Sequence, residues 1–346
     1  MSLYDAVADL TLTVAGHDRT RRERDTSSGF TRATTTFALS GGGATGRGED
    51  VAYDTPDHEA LAEADPAFAA FEGEWTFDEF SRALDDVELF PEPPRRETAR
   101  HYRRWAVESA ALDLACKQAG RTLGDLLGRD YDPVRFVVST RLGDAGFDRV
   151  ADLLETSPDA ELKLDPTDDW DAALVDRLAD TGAVRVLDLK GLYEGTQVDL
   201  TPDPELYRLV VEGLPDAVVE DPRLTDATRP VFDGREDRVA WDYPITGVGS
   251  VRDLPWEPDW LNVKPSRFGT VRSLFDTLDH AAAHDITLYG GGQFELGVGR
   301  DQIQALAALC YPSGPNDVAP GGYNDPELSP DLATSPLDPP VGFGPR

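Results

Sequence analysis

AELKLDPTDDWDAALVDRLADTGAVRVLDLK, residues 160–190, holds two short apolar runs, AELKLD (160–165) and VRVLDLK (184–190), around the amphipathic segment WDAALVDRLADTG (170–182). Strand, helix and strand within about thirty residues is the signature of a βαβ unit, whose two strands lie parallel. The same texture runs outward in both directions. RFVVST (135–140) precedes it; AVVED (217–221), DRVAWD (237–242), DWLNVKP (259–265), ITLYGGG (286–292) and NDVAP (316–320) follow. Helical patterns such as TVRSLFDTLDHAAAHD separate most of these runs. Near-continuous apolar strands joined by helices imply a parallel sheet covered on both faces, and eight of them imply a closed barrel over residues 133–320. The connections after the fourth and fifth strands are too rich in Pro and Gly for full helices, so irregularity is expected there.

The first part of the chain, 1–132, reads differently. YDAVADLTLTVAG and TRATTTFAL alternate as strands, and GRGEDVAY follows a glycine-rich turn. That turn, GGGATG (41–46), matches a dinucleotide-binding fingerprint in form, but a second strand rather than a helix follows it, which predicts a hairpin. TFDEFSRALDDV, ETARHYRRWAVESAALDLACKQAG and TLGDLLG then read as helices, with Gly120 a stop and Thr122 an N-cap. The first domain is therefore α+β. Beyond 320 the chain is Pro-rich, and an extended tail over 321–346 is expected.

Charge narrows the class of function. With 65 acidic against 33 basic residues the net charge is −32, which repels nucleic acid and anionic lipid. Regular apolar segments argue against disorder, and a folded protein of a salt-rich cytoplasm is the expectation. No signal peptide or membrane span is legible. Cys116 and Cys310 lie in apolar helical segments as buried thiols.

Only Lys117, Lys163, Lys190 and Lys264 are lysines; the other 29 basic residues are Arg. Three of the four fall at strand ends, where barrels gather their active sites. The second strand ends with Lys163 and Asp165, the third with Asp188 and Lys190, the fourth with Glu220 and Asp221, the fifth with Asp242, and the sixth with Lys264. The seventh runs into Gln293 and Glu295. Desolvation can tune a Lys down to exchange protons near neutrality, whereas Arg cannot be so tuned. Carboxylates on three adjacent strands suit a hard cation such as Mg2+, or Mn2+ in its place. Amines on either side of such an ion are placed to remove and return a proton on a bound carboxylate substrate.

Over nearly the whole chain, from TTTFALSGGGATGRGED through WAVESAALDLACKQAGRTLGDLLG to GGGQFELGVGRDQIQALAAL, the sequence resembles the enolase superfamily, in its muconate-lactonizing-enzyme-like and o-succinylbenzoate-synthase-like subgroup. The resemblance implies a modified (β/α)7β TIM barrel beneath an N-terminal α+β capping domain. It also implies Lys163 and Lys264 as the acid/base pair, with Asp188, Glu220 and Asp242 as ligands of Mg2+. Cap loops near HDRTRRERDTSSGF (17–30) would close over the site. Such enzymes form a metal-stabilised enolate that is then isomerised or eliminated, and homo-oligomers are common among them. Four positions depart from the pattern. Glu161 replaces the first Lys of a Lys-x-Lys motif, Lys190 replaces an Asn, Asp242-Tyr243 replaces Asp-Glu, and no His ends the seventh strand. An alternative alignment of the fifth strand on GVGSVRDL supplies no third ligand. Glu161 and Lys190 motivate a rival reading, a barrel that has lost catalysis and binds a ligand or partner. Lys190, Gln293, Glu295 and Glu161 are the auxiliary site candidates.

Overall fold

The computed structural model describes residues 2–64, 68–193, 200–329 and 331–345. Its N-terminal sheet is built on β3 (Thr31–Gly41), which pairs antiparallel with β2 (Gly16–Asp25) on one side and β4 (Ala44–Asp50) on the other; β1 (Thr11–Val14) pairs separately with β5 (Gly73–Thr76). Gly42 and Gly43 turn the β3–β4 hairpin at φ +56° and +79°. Two consecutive left-handed residues are what a tight two-residue hairpin turn demands. The glycine-rich stretch is thus the hairpin expected of it. β4 then lies against the helix Thr98–Ala119, closely enough that a Cβ at Gly48 would sit 2.0 Å from the Ala106 carbonyl oxygen. That helix stops at Gly120, φ +65°, and the next starts on a capping box between Thr122 and Asp125.

Two expectations for this region are corrected. Residues 5–8 form a helical turn rather than strand, because the Ser2 hydroxyl accepts from the Asp5 N–H (3.2 Å) while the Asp5 carboxylate accepts from the Ser2 N–H (3.0 Å). HDRTRRERD is not loop: residues 16–25 run in register with 31–40. Its charges mark an edge strand, where they discourage pairing with other chains. Only the tip, 26–30, is loop, and it rests on the barrel: Phe30 packs edge-on to Phe294 at 5.4 Å.

Among the described residues seven parallel strands follow in chain order, β6 (Val137–Thr140), β7 (Glu161–Leu164), β8 (Val184–Asp188), β9 (Val218–Glu220), β10 (Val239–Trp241), β11 (Trp260–Val263) and β12 (Thr287–Gly290). The eighth is shorter than expected from NDVAP. Asn316 bridges Phe136 and Asp317 bridges Gly291, and these two residues close the barrel. Flanking Pro315 and Pro320 lack the N–H a longer ladder needs. The Asn316 side chain does much of the stitching, accepting from the Gly290 N–H (2.6 Å) and donating to the carbonyls of Arg135 (2.9 Å) and Gly314 (3.0 Å). After β9 only single 3-10 turns occur, and after β10 a five-residue helix, in line with the Pro and Gly content. The tail folds back on the body: Leu337 bridges Val134, Phe343 is fully buried, and the Gly344 N–H donates to Asp113 (2.9 Å). Pro330 and Arg346 of that stretch lie outside the described residues.

Candidate metal and acid–base centre

Strand alternation aims the site. Asp188 is level with Glu220 across β8 and β9, and Glu220 is level with Ala240, which puts Asp242 two residues further along the same face. Lys163 shares its level with Ser139 and Val186, while its neighbours Leu162 and Leu164 lie in the hydrophobic core. Asn262 and Lys264 are likewise two apart at the end of β11. Pro265 then opens a single helical turn that carries Arg267 back toward Asp242. Gly291 makes room for the amine: a Cβ there would lie 2.6 Å from both Lys264 Cε and Asn262 Oδ1.

Asp188, Glu220 and Asp242 are fully buried, and one carboxylate oxygen from each lies within 4.8 Å of the others. Lys163, 1% exposed, hydrogen-bonds Glu220 Oε1 and stands 3.2 Å from Asp188 Oδ2. Glu220 Oε2 accepts from the Tyr289 hydroxyl and from Asn262 (2.9 Å). Lys264 reaches Asp242 Oδ2 at 2.9 Å; Arg267 donates to Asp242 Oδ1 (2.9 Å) and the Tyr193 hydroxyl to Oδ2 (2.9 Å). Asp221 accepts the N–H groups of Asp242 and Tyr243. Lys190 hydrogen-bonds Asp188 Oδ2 and lies 3.7 Å from Asp165.

Acid outnumbers base in this cluster. Asp165, Asp188, Glu220, Asp221, Asp242 and Asp317 face Lys163, Lys190, Lys264 and Arg267, with Arg141 touching only Asp165 from the exposed side. The surplus shows where cations are fewest. Burial, with Asp188 and Asp242 reinforcing it against Lys163, pushes Glu220 up to about 8; burial and the charges of Asp242 and Asp188 push Asp221 up to about 7. Burial also opposes ionisation of Asp242, but Arg267 and Lys264 outweigh it and hold that carboxyl down to about 2. Asp188 stays well below the usual range because Lys190 and Lys163 overcome its burial. Three buried carboxylates, Asp188, Glu220 and Asp242, offering oxygen-only donors from adjacent strands within 4.8 Å of one another, fit a small hard divalent cation. Against these carboxylates alone, burial favours the neutral form of Lys163, but Glu220 and Asp188 outweigh that and hold it well above an ordinary lysine.

Two family models match the chain, the C-terminal domain of a domain of unknown function, DUF8230, over residues 130–325, and its N-terminal domain over 5–126. The chain belongs to the DUF8230 family. The DUF8230 chain is also 23% identical over 259 residues to the o-succinylbenzoate synthase of Bacillus subtilis (strain 168), a match covering 70% of this chain and 66% of the synthase. Among solved structures it superposes on the dipeptide epimerase of Methylococcus capsulatus complexed with Mg and the dipeptide L-Arg-D-Lys. There the TM-score is 0.71 and the identity 18%, with 92% of this chain and 93% of that one covered. A member of the enolase superfamily from Listeria innocua gives 0.65, 18%, 97% and 92%; the muconate lactonizing enzyme of Pseudomonas putida gives 0.64, 18%, 88% and 88%. The DUF8230 chain therefore has the enolase-superfamily fold, a TIM-type barrel with an N-terminal α+β domain.

Within this DUF8230 fold, Lys163, Lys264, Asp188, Glu220, Asp242 and Lys190 converge on one cluster. The other candidates do not join it. Glu161 is turned to Arg135 and Arg185 at the start of β7. Gln293 and Glu295 belong to the junction with the N-terminal domain: Gln293 accepts from the Tyr53 hydroxyl (2.7 Å), and its carbonyl from Arg32 (3.0 Å), while Glu295 pairs with Arg300 (3.3 Å). Tyr193, Asn262, Arg267 and Tyr289 were missed. Asn262 and Arg267 carried a local signal, since they stand two before and three after Lys264. Tyr193 and Tyr289 carried none, because an apolar strand and a loop both use Tyr freely.

Proposed function

We propose that this protein is a Mg2+-dependent enzyme that removes the proton α to the carboxylate of a small-molecule substrate and passes the resulting enolate to isomerisation or elimination, as a cycloisomerase, an epimerase or an o-succinylbenzoate-synthase-like lyase. One observation carries the reading: buried amines on the second and sixth of eight barrel positions, hence on opposite walls, contact the same carboxylate triad. Asp188, Glu220 and Asp242 would hold the Mg2+, whose charge, when bound, stabilises a carboxylate-derived enolate. A cation engaging the triad's charge would weaken the attraction that keeps Lys163 protonated, and burial would then favour the neutral amine that a base requires. Lys163 and Lys264, on opposite walls, would flank the α-carbon of a bound substrate, so that one takes the proton while the other returns it or protonates a leaving group. Arg267 and Tyr193 hold Asp242 in place from the rim.

The other roles extend the reading. The β2–β3 tip meets Phe294 where the N-terminal domain rests on the barrel, and there the two would shape specificity. No helix among the described residues is long and apolar enough to cross a membrane; the strongly acidic surface supports work in a salty cytoplasm without nucleic acid or membrane partners. A second reading, a ligand-binding barrel without catalysis, is favoured by the Lys190 ammonium on Asp188. Mg2+-dependent washing of solvent deuterium into a panel of carboxylic acids tests the choice. Exchange into any member supports the enzyme, and ligand binding without exchange supports the second reading.

A further inference from the structure

Lys190 is the residue in this centre that local physics least explains. Its φ of +51° is left-handed, a conformation that Asn, Asp and Gly enter cheaply and that a long side chain adopts rarely. The surroundings hold it there. Its own N–H donates to Asp188 Oδ1 (3.1 Å), and the Gly191 N–H donates to the Asp221 carbonyl (3.0 Å). Gly191 itself is obligatory, because a Cβ there would meet the Arg223 nitrogen at 2.4 Å. This backbone brings the ammonium back onto Asp188 Oδ2, beside Lys163, with the Tyr193 ring 5.2 Å away and Asp165 at 3.7 Å on the outer side. Both oxygens of Asp188 are consequently engaged by Lys190, one through its amide and one through its amine.

The geometry points to Lys190 as a tethered cation that competes with the divalent ion for Asp188 and parks on Asp165 when displaced. This rests on the metal-binding reading proposed above and deepens it. An ammonium fixed to the chain is present at high effective concentration wherever the ion is to bind. Even displaced to Asp165 it stays close enough to repel a divalent charge. The carboxylate it needs in its displaced position is already within 3.7 Å, so displacement takes a side-chain rotation and no backbone change. The consequence is a metal centre weaker than its carboxylates alone would make it, in which ion binding releases one amine toward the barrel mouth.

Calorimetric titration of Mg2+ into the metal-stripped full chain tests this, using the wild type, K190N, which keeps the left-handed backbone, and K190M, which keeps the bulk. Both variants are expected to bind Mg2+ roughly tenfold or more tightly than the wild type and to show a larger Mg2+-induced rise in Tm. Equal or weaker affinity in both folded variants, with the wild type binding, overturns the role of Lys190 and leaves the metal reading standing. Binding by none of the three overturns both.

Discussion

Lys163 and Lys264 stand on opposite walls of the barrel and never share a carboxylate: Lys163 pairs with Asp188 and Glu220, Lys264 with Asp242. The three acids separate the two amines. Each amine is thus positioned by a different part of one buried cluster, and removing any acid affects one wall before the other.

Asp188 faces two ammonium groups, so its loss should be costly even without metal. In metal-free buffer D188N is expected to lose about 1–3 kcal/mol of unfolding free energy, because two charged hydrogen bonds go while Lys163 keeps Glu220 and Lys190 keeps Asp165. It should also lose Mg2+ binding. Denaturant melts with and without Mg2+ check both; an unchanged midpoint would show that the pairing contributes nothing.

Gly291 controls the position of Lys264. In G291A the new methyl would lie 2.6 Å from Lys264 Cε, forcing the amine aside. An overpacking cost of about 1–3 kcal/mol is expected in thermal melts. Proton exchange should fall about 10²-fold, the usual result of a misplacement on the order of 1 Å. Full activity would mean that Lys264 is not held by this contact.

Two glycines of one hairpin should respond differently. G48A drives a Cβ into the backbone of the Thr98–Ala119 helix, at 2.0 Å from a carbonyl oxygen, whereas G43A meets nothing within 4 Å and incurs only left-handed strain. Thermal melts should show G43A costing about 1 kcal/mol and G48A clearly more. Equal costs would argue against the close docking of β4 on that helix.

Asp50 is fully buried on Arg103, whose Nε donates to Oδ2 at 2.7 Å and whose guanidinium stacks 3.6 Å above the Phe90 ring. Burial opposes the charge, but Arg103 outweighs it and the carboxyl is held below its ordinary value. A depressed folded pKa contributes stability that is complete above the unfolded value, about 3.9, and is lost as pH falls through the folded one. Wild type should therefore exceed D50N in stability at pH 6 by about 3–5 kcal/mol, with the gap shrinking below roughly pH 4. A gap that is constant down to pH 2 would contradict this.

The barrel was legible because seven of its strands are short apolar runs at regular spacing, a pattern set by burial on both faces. The eighth was overextended, since a two-residue closure stitched by the Asn316 side chain leaves no periodic trace. β2 was misread because an edge strand and a solvated loop share the same charged composition. At the centre, Lys163, Asp188, Glu220, Asp242 and Lys264 were legible from position at strand ends. The protonation of Lys163 was not, because it depends on which carboxylates surround it in space. Nor were the partners of Glu161, which lie on neighbouring strands.

Lys163 and Lys264 are proposed to carry the proton chemistry, and the deciding experiment follows, by NMR, the Mg2+-dependent loss of the α-proton of a responsive carboxylic acid in D2O with wild type, K163R and K264R. Exchange is expected in the wild type, with a fall of at least about 10²-fold in each variant, because Arg keeps the charge yet cannot accept the proton. Equal exchange rates in all three proteins would contradict it.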